Sequence, residues 1–361
     1  MHRRQNTTVL VLWLLLATGP VITETLLAQA SKQTGTDTAP AAVPPRPKYP
    51  RINPSPCYEV DPGWPKKPAE FVWQAVPGIA VDHQDQVWVF TRSKPPIQIY
   101  KPNGDFVRAW GDTTIGNAHH LKIDREGNVW VADIGLHIIR KFSPDGQVLQ
   151  TIGTPGVAGA DETHLYMPTD MAIAPDGDVF VSDGYGNNRV VHFDASGKFV
   201  RSWGQLGVGR EDLSLPHAIA MDSKGRLYVA DRNNARVQVY DQSGRLLDSW
   251  TNVVIPWGLW VTSDDDIWVC GASPMAWEDH PDYPGAPLSC PPKYQVVMKF
   301  QPSGRLVQLW TVPKGKDGAV QPGDVNWLHA MAVDSSGNLY LGDIMGKRAQ
   351  KFTLVPGFDK R

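Results

Sequence analysis

Residues 127–131 of the chain read GNVWV, a turn of small polar residues followed by a short strand centred on an aromatic side chain. Gly, Asn and Asp favour tight turns, whereas β-branched and aromatic residues favour strands. The pattern recurs as DQVWV at 85–89, GDVFV at 177–181, GRLYV at 225–229, DDIWV at 265–269 and GNLYL at 337–341. Six copies in phase indicate a repeat protein built from β-strands.

Each copy is followed by a second alternating apolar strand, a turn and a further strand, as at 237–240, Ser243-Gly244 and Trp250. Each unit therefore holds about four short strands over roughly 40 to 50 residues, the period of a propeller blade. One blade cannot bury both of its faces alone, so we predict an all-β, six-bladed β-propeller. The last unit ends one strand short, and we expect a strand from residues 58–73 to close the ring. Two unrelated β-sandwiches are the alternative.

The N-terminus has the features of a targeting segment. Arg3 and Arg4 give a basic start, residues 9–16 are uniformly apolar, and residues 28–30 read AQA, a small-x-small cleavage site. The apolar run is too short to span a bilayer comfortably, so we predict a signal peptide over 1–30. An uncleaved anchor is the alternative. The protein is then expected to be secreted or periplasmic, without stable membrane insertion.

Composition divides the rest of the chain into two parts. Residues 31–57 are rich in Pro and Ala and contain few large apolar side chains, which predicts a disordered linker before a propeller over 58–361. The net charge of −2 argues against nucleic acid as a partner. We expect a monomer.

Export would place three cysteines in an oxidising compartment, where one disulfide can form. Cys270 and Cys290 flank a Pro-rich insertion and form the pair that we predict, which leaves Cys57 free. The other two pairings stay open.

A metal site emerges when the repeats are aligned. Alternate blades of a six-bladed ring lie about 120° apart, so equivalent histidines on three of them would converge on the axis. Three imidazoles with a fourth position open suit catalytic zinc, although iron, copper and cobalt also accept imidazole. Counting eleven residues back from each repeat aromatic gives Pro77, His119, Thr169, His217, Trp257 and His329. Histidine therefore occurs in units two, four and six.

Other readings of the histidines remain. A single histidine at this position could be a hydrogen-bonded turn residue. His120 should point away from its neighbour His119 along the strand, and we interpret it as structural. The same interpretation applies to His83, His137, His164, His192 and His280.

The loops leaving the second strands supply further candidates. Four residues after the aromatic, units one and four carry Arg92 and Arg232, and unit three carries Gly184 followed by Tyr185. Two arginines can clamp a carboxylate, and a tyrosine beside a metal and arginines can act as a base. The alternative is surface pairing of the arginines with Asp133, Asp183 or Asp231.

Four segments carry a family resemblance: YMPTD at 166–170, VSDGYGNNR at 181–189, LPHAIA at 215–220 and VADRN at 229–233. They are similar to the lyase domain of peptidylglycine α-amidating enzymes, over most of residues 75–355. NHL-type propellers in general share the blade signature, so the site residues alone discriminate this family.

The resemblance implies a zinc-dependent lyase that cleaves a peptidyl- or N-acyl-α-hydroxyglycine, a small molecule or peptide with a C-terminal carboxylate, to an amide and glyoxylate. The residues it assigns are His119, His217 and His329 for zinc, Tyr185 as the catalytic tyrosine, and Arg92 and Arg232 as functional arginines. The alternatives are a non-catalytic NHL propeller that binds a peptide, glycan or protein, and another propeller enzyme such as a lactonase.

The chain also departs from the family pattern. A structural Ca²⁺ would be held partly by the backbone oxygens of Ile79 and Leu121, but Ala330 stands where the family has an aspartate ligand. Loss of that carboxylate weakens the case for calcium. Trp327 replaces a pocket methionine, and Gly186 replaces a cysteine of the family's disulfide.

Overall fold

A computed structural model of the chain describes residues 57–251, 253–272, 295–316 and 321–355. The predicted signal peptide, residues 31–56 of the predicted linker and the Pro-rich insertion with Cys290 lie outside the described residues. Among the described residues, no helix is long and apolar enough to cross a membrane.

The described residues form a six-bladed β-propeller, as the repeats predict, with six four-stranded antiparallel sheets. The strands of the first three sheets are β2 (Gly78–Val81), β3 (Val87–Phe90), β4 (Ile97–Tyr100) and β5 (Phe106–Trp110); β6 (Ala118–Ile123), β7 (Val129–Asp133), β8 (Ile138–Phe142) and β9 (Val148–Ile152); and β10 (Asp170–Ile173), β11 (Val179–Asp183), β12 (Arg189–Phe193) and β13 (Phe199–Trp203). Those of the next two are β14 (Pro216–Met221), β15 (Leu227–Asp231), β16 (Arg236–Tyr240) and β17 (Leu246–Trp250); and β18 (Ile255–Val261), β19 (Ile267–Ala272), β20 (Gln295–Phe300) and β21 (Leu306–Val312). A short 3₁₀ turn, Arg232–Asn234, lies between β15 and β16.

The sixth sheet closes the ring. It contains β22 (Leu328–Val333), β23 (Leu339–Asp343) and β24 (Arg348–Val355), and its outermost strand is β1 (Cys57–Asp61), from the start of the domain. The pairing of β1 with β24 is antiparallel, and the Tyr58 ring packs 5.2 Å from the Trp310 ring of the neighbouring blade. The predicted closing strand is therefore confirmed.

The repeat signature has a local physical cause. In the second blade, Asp124 accepts the backbone N–H groups of Glu126 and Asn128, and its second oxygen accepts the indole N–H of Trp130. The strand aromatic is buried, and its polar edge is satisfied by the turn carboxylate. The same aspartate–aromatic bond recurs at Asp82–Trp88, Asp222–Tyr228 and Asp334–Tyr340.

Only one member of the predicted Cys270–Cys290 disulfide is described, because Cys290 lies outside the described residues. Cys270 is a free and fully buried thiol in the apolar core that the fifth and sixth blades share. Its sulfur lies 2.7 Å from where a side-chain carbon on Gly258 would sit, so the thiol fills space that the glycine leaves.

Candidate metal centre

The three aligned histidines come together on the propeller axis. His119, His217 and His329 are each the second residue of an innermost strand, β6, β14 and β22, and each is at least 98% buried. Their ring centroids are 4.8 Å apart between His119 and His217, 4.8 Å between His119 and His329, and 4.7 Å between the other two. The near-equal spacing is that of a three-fold cluster.

Backbone carbonyls of the other three blades orient these rings. His119 Nδ1 lies 2.6 Å from the Thr169 oxygen, His217 Nδ1 lies 2.6 Å from the Trp257 oxygen, and His329 Nδ1 lies 2.7 Å from the Pro77 oxygen. A carbonyl oxygen only accepts hydrogen bonds, so the Nδ1 atoms donate and the Nε2 atoms keep their lone pairs. Such outer contacts fix the tautomer and direction of metal-binding histidines.

The lone pairs of the three Nε2 atoms exceed the hydrogens available to them. The Tyr185 hydroxyl lies 3.1 Å from Nε2 of both His119 and His217, and its single hydrogen can satisfy one of them. His329 Nε2 is buried without a hydrogen-bond partner among the described residues. Buried polar atoms are normally satisfied, so the donor set fits a metal ion that accepts all three lone pairs.

Electrostatics keep the cluster neutral. Burial, reinforced by the neighbouring imidazoles, holds the pKa of His119 well below its usual value. Burial also lowers the pKa of His217 and of His329, with Arg232 adding to the effect on both. Neutral imidazole is the form that binds metal, so the site is prepared for a cation at physiological pH.

His120 corrects one prediction. The strand is irregular between Ala118 and Leu121, and His120 does not point away but is buried against the cluster, with its ring 4.8 Å from His119 and 5.1 Å from His329. Its ligand atoms lie close enough to those of His119 and His329 to suggest a different metal-binding trio.

Geometry favours His217 over His120 as the third ligand. His120 approaches His119 through Nδ1, the atom that already faces the Thr169 carbonyl, whereas His217 shares the Nε2 side with Tyr185. His120 therefore lies behind the ring of lone pairs. The sequence shows that His120 is adjacent to His119. Its inward position could not be predicted from that, because it depends on the irregularity in β6.

Tyr185 is positioned by two glycines that leave no room for side chains. A carbon added to Gly184 would lie 2.0 Å from the carbonyl oxygen of Pro216, the residue before His217. A carbon added to Gly186 would lie 2.2 Å from the Tyr166 ring. The tyrosine loop is thus pressed onto the strand that carries His217.

Both predicted arginines border the cluster. Arg92 donates its Nε hydrogen to the backbone oxygen of Ala118, which precedes His119, at 3.1 Å. Arg232 is 3% exposed, and its guanidinium lies 5.6 Å from the Trp257 ring centroid. Both lower the pKa of His329 through charge, which places both positive groups near the three histidines.

The loop aspartates that could have paired with Arg92 and Arg232 have other partners. Asp183 pairs with Arg189 at 3.0 Å, and Asp231 pairs with Arg236 at 2.6 Å. Asp133 accepts the backbone N–H groups of the loop before its own innermost strand. These aspartates are thus engaged within their own blades.

Two stacked tryptophans lie beside the site; the resemblance gives Trp327 a pocket position, but the sequence predicts no role for Trp257. Trp257 and Trp327 stack with ring centroids 4.8 Å apart and planes 22° apart. Trp257 is fully buried, Trp327 is half-buried, and Ile255 and Ala272 complete the apolar cluster. The repeat alignment had marked Trp257 only as a position without histidine.

The residues present do not fit the calcium site that the resemblance implies. Ala330 is buried at the position of the family's aspartate ligand and offers no side-chain oxygen. An ammonium group, that of Lys122, lies in this part of the axis, 3.2 Å from an oxygen of Asp170. A fixed positive charge repels a divalent cation from the same position.

Comparisons with known proteins agree with this architecture. The NHL repeat family model matches residues 165–193 and 213–240. The mouse protein called NHL repeat-containing protein 3 is 30% identical over 321 residues, covering 82% of this chain and 84% of the relative. Peptidyl-α-hydroxyglycine α-amidating lyase 2 of Drosophila melanogaster is 39% identical over 138 residues, covering 37% of this chain and 33% of the relative.

The solved structure of a streptogramin B lyase matches with a TM-score of 0.54 at 13% sequence identity, over 85% of this chain and all of that structure. At that identity, the likeness concerns the propeller fold alone.

Proposed function

Because this chain belongs to the family of NHL-repeat proteins, which includes α-amidating lyases among its relatives, we propose that it cleaves the C–N bond of a peptidyl- or N-acyl-α-hydroxyglycine to an amide and glyoxylate. The observation that carries the proposal is the ring of three imidazoles with the Tyr185 hydroxyl 3.1 Å from two of them. We propose that His119, His217 and His329 hold zinc. When bound, zinc supplies Lewis acidity that favours loss of a proton from a hydroxyl group.

Tyr185 is the residue that moves the proton. Its oxygen lies on the Nε2 side of the cluster, within reach of a substrate hydroxyl placed there. In its ionised phenolate form, which neighbouring positive charges favour, it takes the hydroxyl proton while the carbon–oxygen bond becomes a carbonyl. The electron pair of the breaking C–N bond stays on nitrogen, and a proton returned to that nitrogen completes the amide.

Arg92 and Arg232 orient the substrate. Their positive charges border the histidines, and guanidinium groups bind carboxylates through paired hydrogen bonds. The carboxylate becomes that of glyoxylate, so the same contact serves substrate and product. We propose that the natural substrate is a small molecule or peptide that ends in this carboxylate. We also propose that the protein is a monomer and acts after export.

Purified protein supplied with zinc and α-hydroxyhippurate tests the proposal. We expect glyoxylate and benzamide in equal amounts, and no glyoxylate from a variant with His119, His217 and His329 all changed to Ala.

A non-catalytic propeller is the second candidate. The mouse relative that matches most of the chain has a name that states no activity, whereas the lyase from Drosophila matches 37% of it. Metal analysis separates the two candidates, since about one zinc per chain supports the enzyme and none supports a binding module.

A further inference from the structure

A buried ion pair lies on the propeller axis next to the metal centre. Lys122 Nζ lies 3.2 Å from Asp170 Oδ2 and donates to the backbone oxygen of Leu259 at 3.4 Å. The Asp170 side chain is fully buried and that of Lys122 is 16% exposed. The two residues come from innermost strands of neighbouring blades, β6 and β10.

The backbone carbonyl that this ammonium group contacts belongs to a residue position that recurs in every blade. Leu259 stands nine residues before its strand aromatic, and Ile79 and Leu121 stand at the same position of their own blades. Equivalent residues of a propeller point their carbonyl groups in equivalent directions. The Leu259 carbonyl that Lys122 contacts is therefore equivalent to the carbonyls of Ile79 and Leu121. Those two are the backbone calcium ligands that the resemblance implies.

This chain has an aspartate at the family's ligand position in the third blade rather than in the sixth. Asp170 stands ten residues before its strand aromatic, as does Ala330, which occupies the position of the family's aspartate ligand. Asp170 Oδ2 also accepts the backbone N–H of Ile219 at 3.1 Å, while Oδ1 is buried without a partner among the described residues. The chain thus keeps one axial carboxylate and adds one axial ammonium.

Solvent reaches the Lys122 member of this pair, whereas the Asp170 side chain is fully buried. A cavity of about 790 Å³ has Lys122 and Trp260 in its wall and none of the three aligned histidines. Acidic residues line this cavity: Asp82, Asp85, Asp124, Glu126, Asp176, Asp222, Asp265 and Asp334. A cation could therefore approach the axis with electrostatic help if Lys122 were absent.

We propose that the Lys122 ammonium group replaces the calcium ion of the amidating lyases as the positive charge on the axis, so that this chain is stable without calcium. One tethered charge joins the second, third and fifth blades through Lys122, Asp170 and Leu259. The inference is independent of the proposed lyase activity, because Lys122 lies outside the proposed catalytic residues.

Thermal unfolding with a calcium titration tests this inference, with zinc held constant throughout. Wild-type protein should retain no calcium and show no change in Tm on addition of calcium chloride. Lys122→Met should lower Tm by about 5–8 °C, because it leaves the Asp170 carboxylate buried and uncompensated. Added calcium should restore a saturable part of that loss.

Lys141→Met is the matched control. Lys141 pairs with Asp124 at 3.2 Å, is similarly buried and borders the same cavity, but it lies off the axis. Its Tm should not respond to calcium. The double variant Lys122→Met/Asp170→Asn should also lose the calcium response.

Three outcomes would overturn the inference: a saturable rise of wild-type Tm with calcium, an unchanged Tm in Lys122→Met, or a calcium response in Lys122→Met no larger than in Lys141→Met. Zinc content and glyoxylate formation are measured separately, so failure of the lyase proposal is distinguishable from each of these.

Discussion

The hydroxyl oxygen of Tyr185 lies 3.1 Å from Nε2 of His217, on the side of the imidazole that no carbonyl occupies. The opposite ring nitrogen of His217 faces the Trp257 carbonyl at 2.6 Å and must donate to it. Tyr185 is therefore directed at the one lone pair that His217 can offer to a metal. A proposed base and a proposed ligand share one small volume, which is where a substrate hydroxyl would have to sit.

The first prediction concerns this hydroxyl group. Tyr185→Phe should lower kcat for α-hydroxyhippurate by about 10²–10⁴-fold, the usual contribution of a positioned acid or base. Zinc content should stay the same, because the histidines keep their carbonyl partners. Tyr166→Phe, which alters a nearby hydroxyl but preserves the ring that packs on Gly186, is the control and should remain active. Undiminished turnover in Tyr185→Phe would contradict the assigned role.

The second prediction separates the two possible histidine trios. His217→Gln should reduce bound zinc sharply, because it removes one of three lone pairs that converge on the axis. His120→Gln should retain zinc, because His120 contacts the rear of His119. Metal analysis of both purified variants measures the difference. Retention of zinc in His217→Gln together with loss in His120→Gln would assign the site to the other trio.

The third prediction concerns the arginines. Arg92→Ala should lower kcat/KM for α-hydroxyhippurate by about 10–150-fold, the range expected for a lost hydrogen bond to a charged group. Wild-type protein should discriminate strongly against N-(hydroxymethyl)benzamide, which lacks the carboxylate, and the variant should discriminate less. Steady-state kinetics with both substrates measure this ratio. An unchanged ratio would show that Arg92 does not bind the carboxylate.

The fourth prediction is a pH dependence of the metal-free protein. Burial depresses the pKa of His119, His217 and His329 in the folded state, so below about pH 6.5 the unfolded chain binds protons that the folded chain does not. Stability is therefore fully present above pH 6.5 and is lost as the pH falls toward the depressed values.

Denaturant unfolding of zinc-free protein from pH 8 to pH 5 measures this dependence. His329→Gln removes one buried imidazole and should show a shallower loss of stability. A flat profile in wild type would mean that the histidines titrate normally in the folded state.

The fifth prediction tests how the tyrosine loop is held. Gly184→Ala places a carbon 2.0 Å from the Pro216 oxygen, so the loop must move away from His217. We expect both a lower Tm and a loss of turnover. Gly63→Ala meets only ordinary contact at 3.4 Å and should change neither. Normal turnover in Gly184→Ala would show that the loop position is not critical.

Much of the fold was predictable because each blade repeats a local pattern. In four of the six blades an aspartate six residues before the strand aromatic accepts a hydrogen bond from it, as Asp124 does from Trp130, so this contact can be predicted from the local sequence. Ring closure by β1 followed from a missing strand in the last unit.

The histidine cluster was predictable for the same reason, since equal positions in alternate blades must face a common axis. The remainder depended on contacts that no repeat encodes. The inward position of His120 follows from an irregularity in β6, and the free thiol of Cys270 follows from the space beside Gly258. The Lys122–Asp170 pair joins two blades through side chains unique to each.

We propose that the three histidines and Tyr185 form a metal-dependent lyase site. Incubation of the zinc-loaded wild-type protein with α-hydroxyhippurate, followed by measurement of glyoxylate, tests it most directly. We expect sustained, zinc-dependent release of glyoxylate with an equal amount of benzamide. Protein that binds one zinc per chain and still releases no glyoxylate above the uncatalysed rate would contradict it.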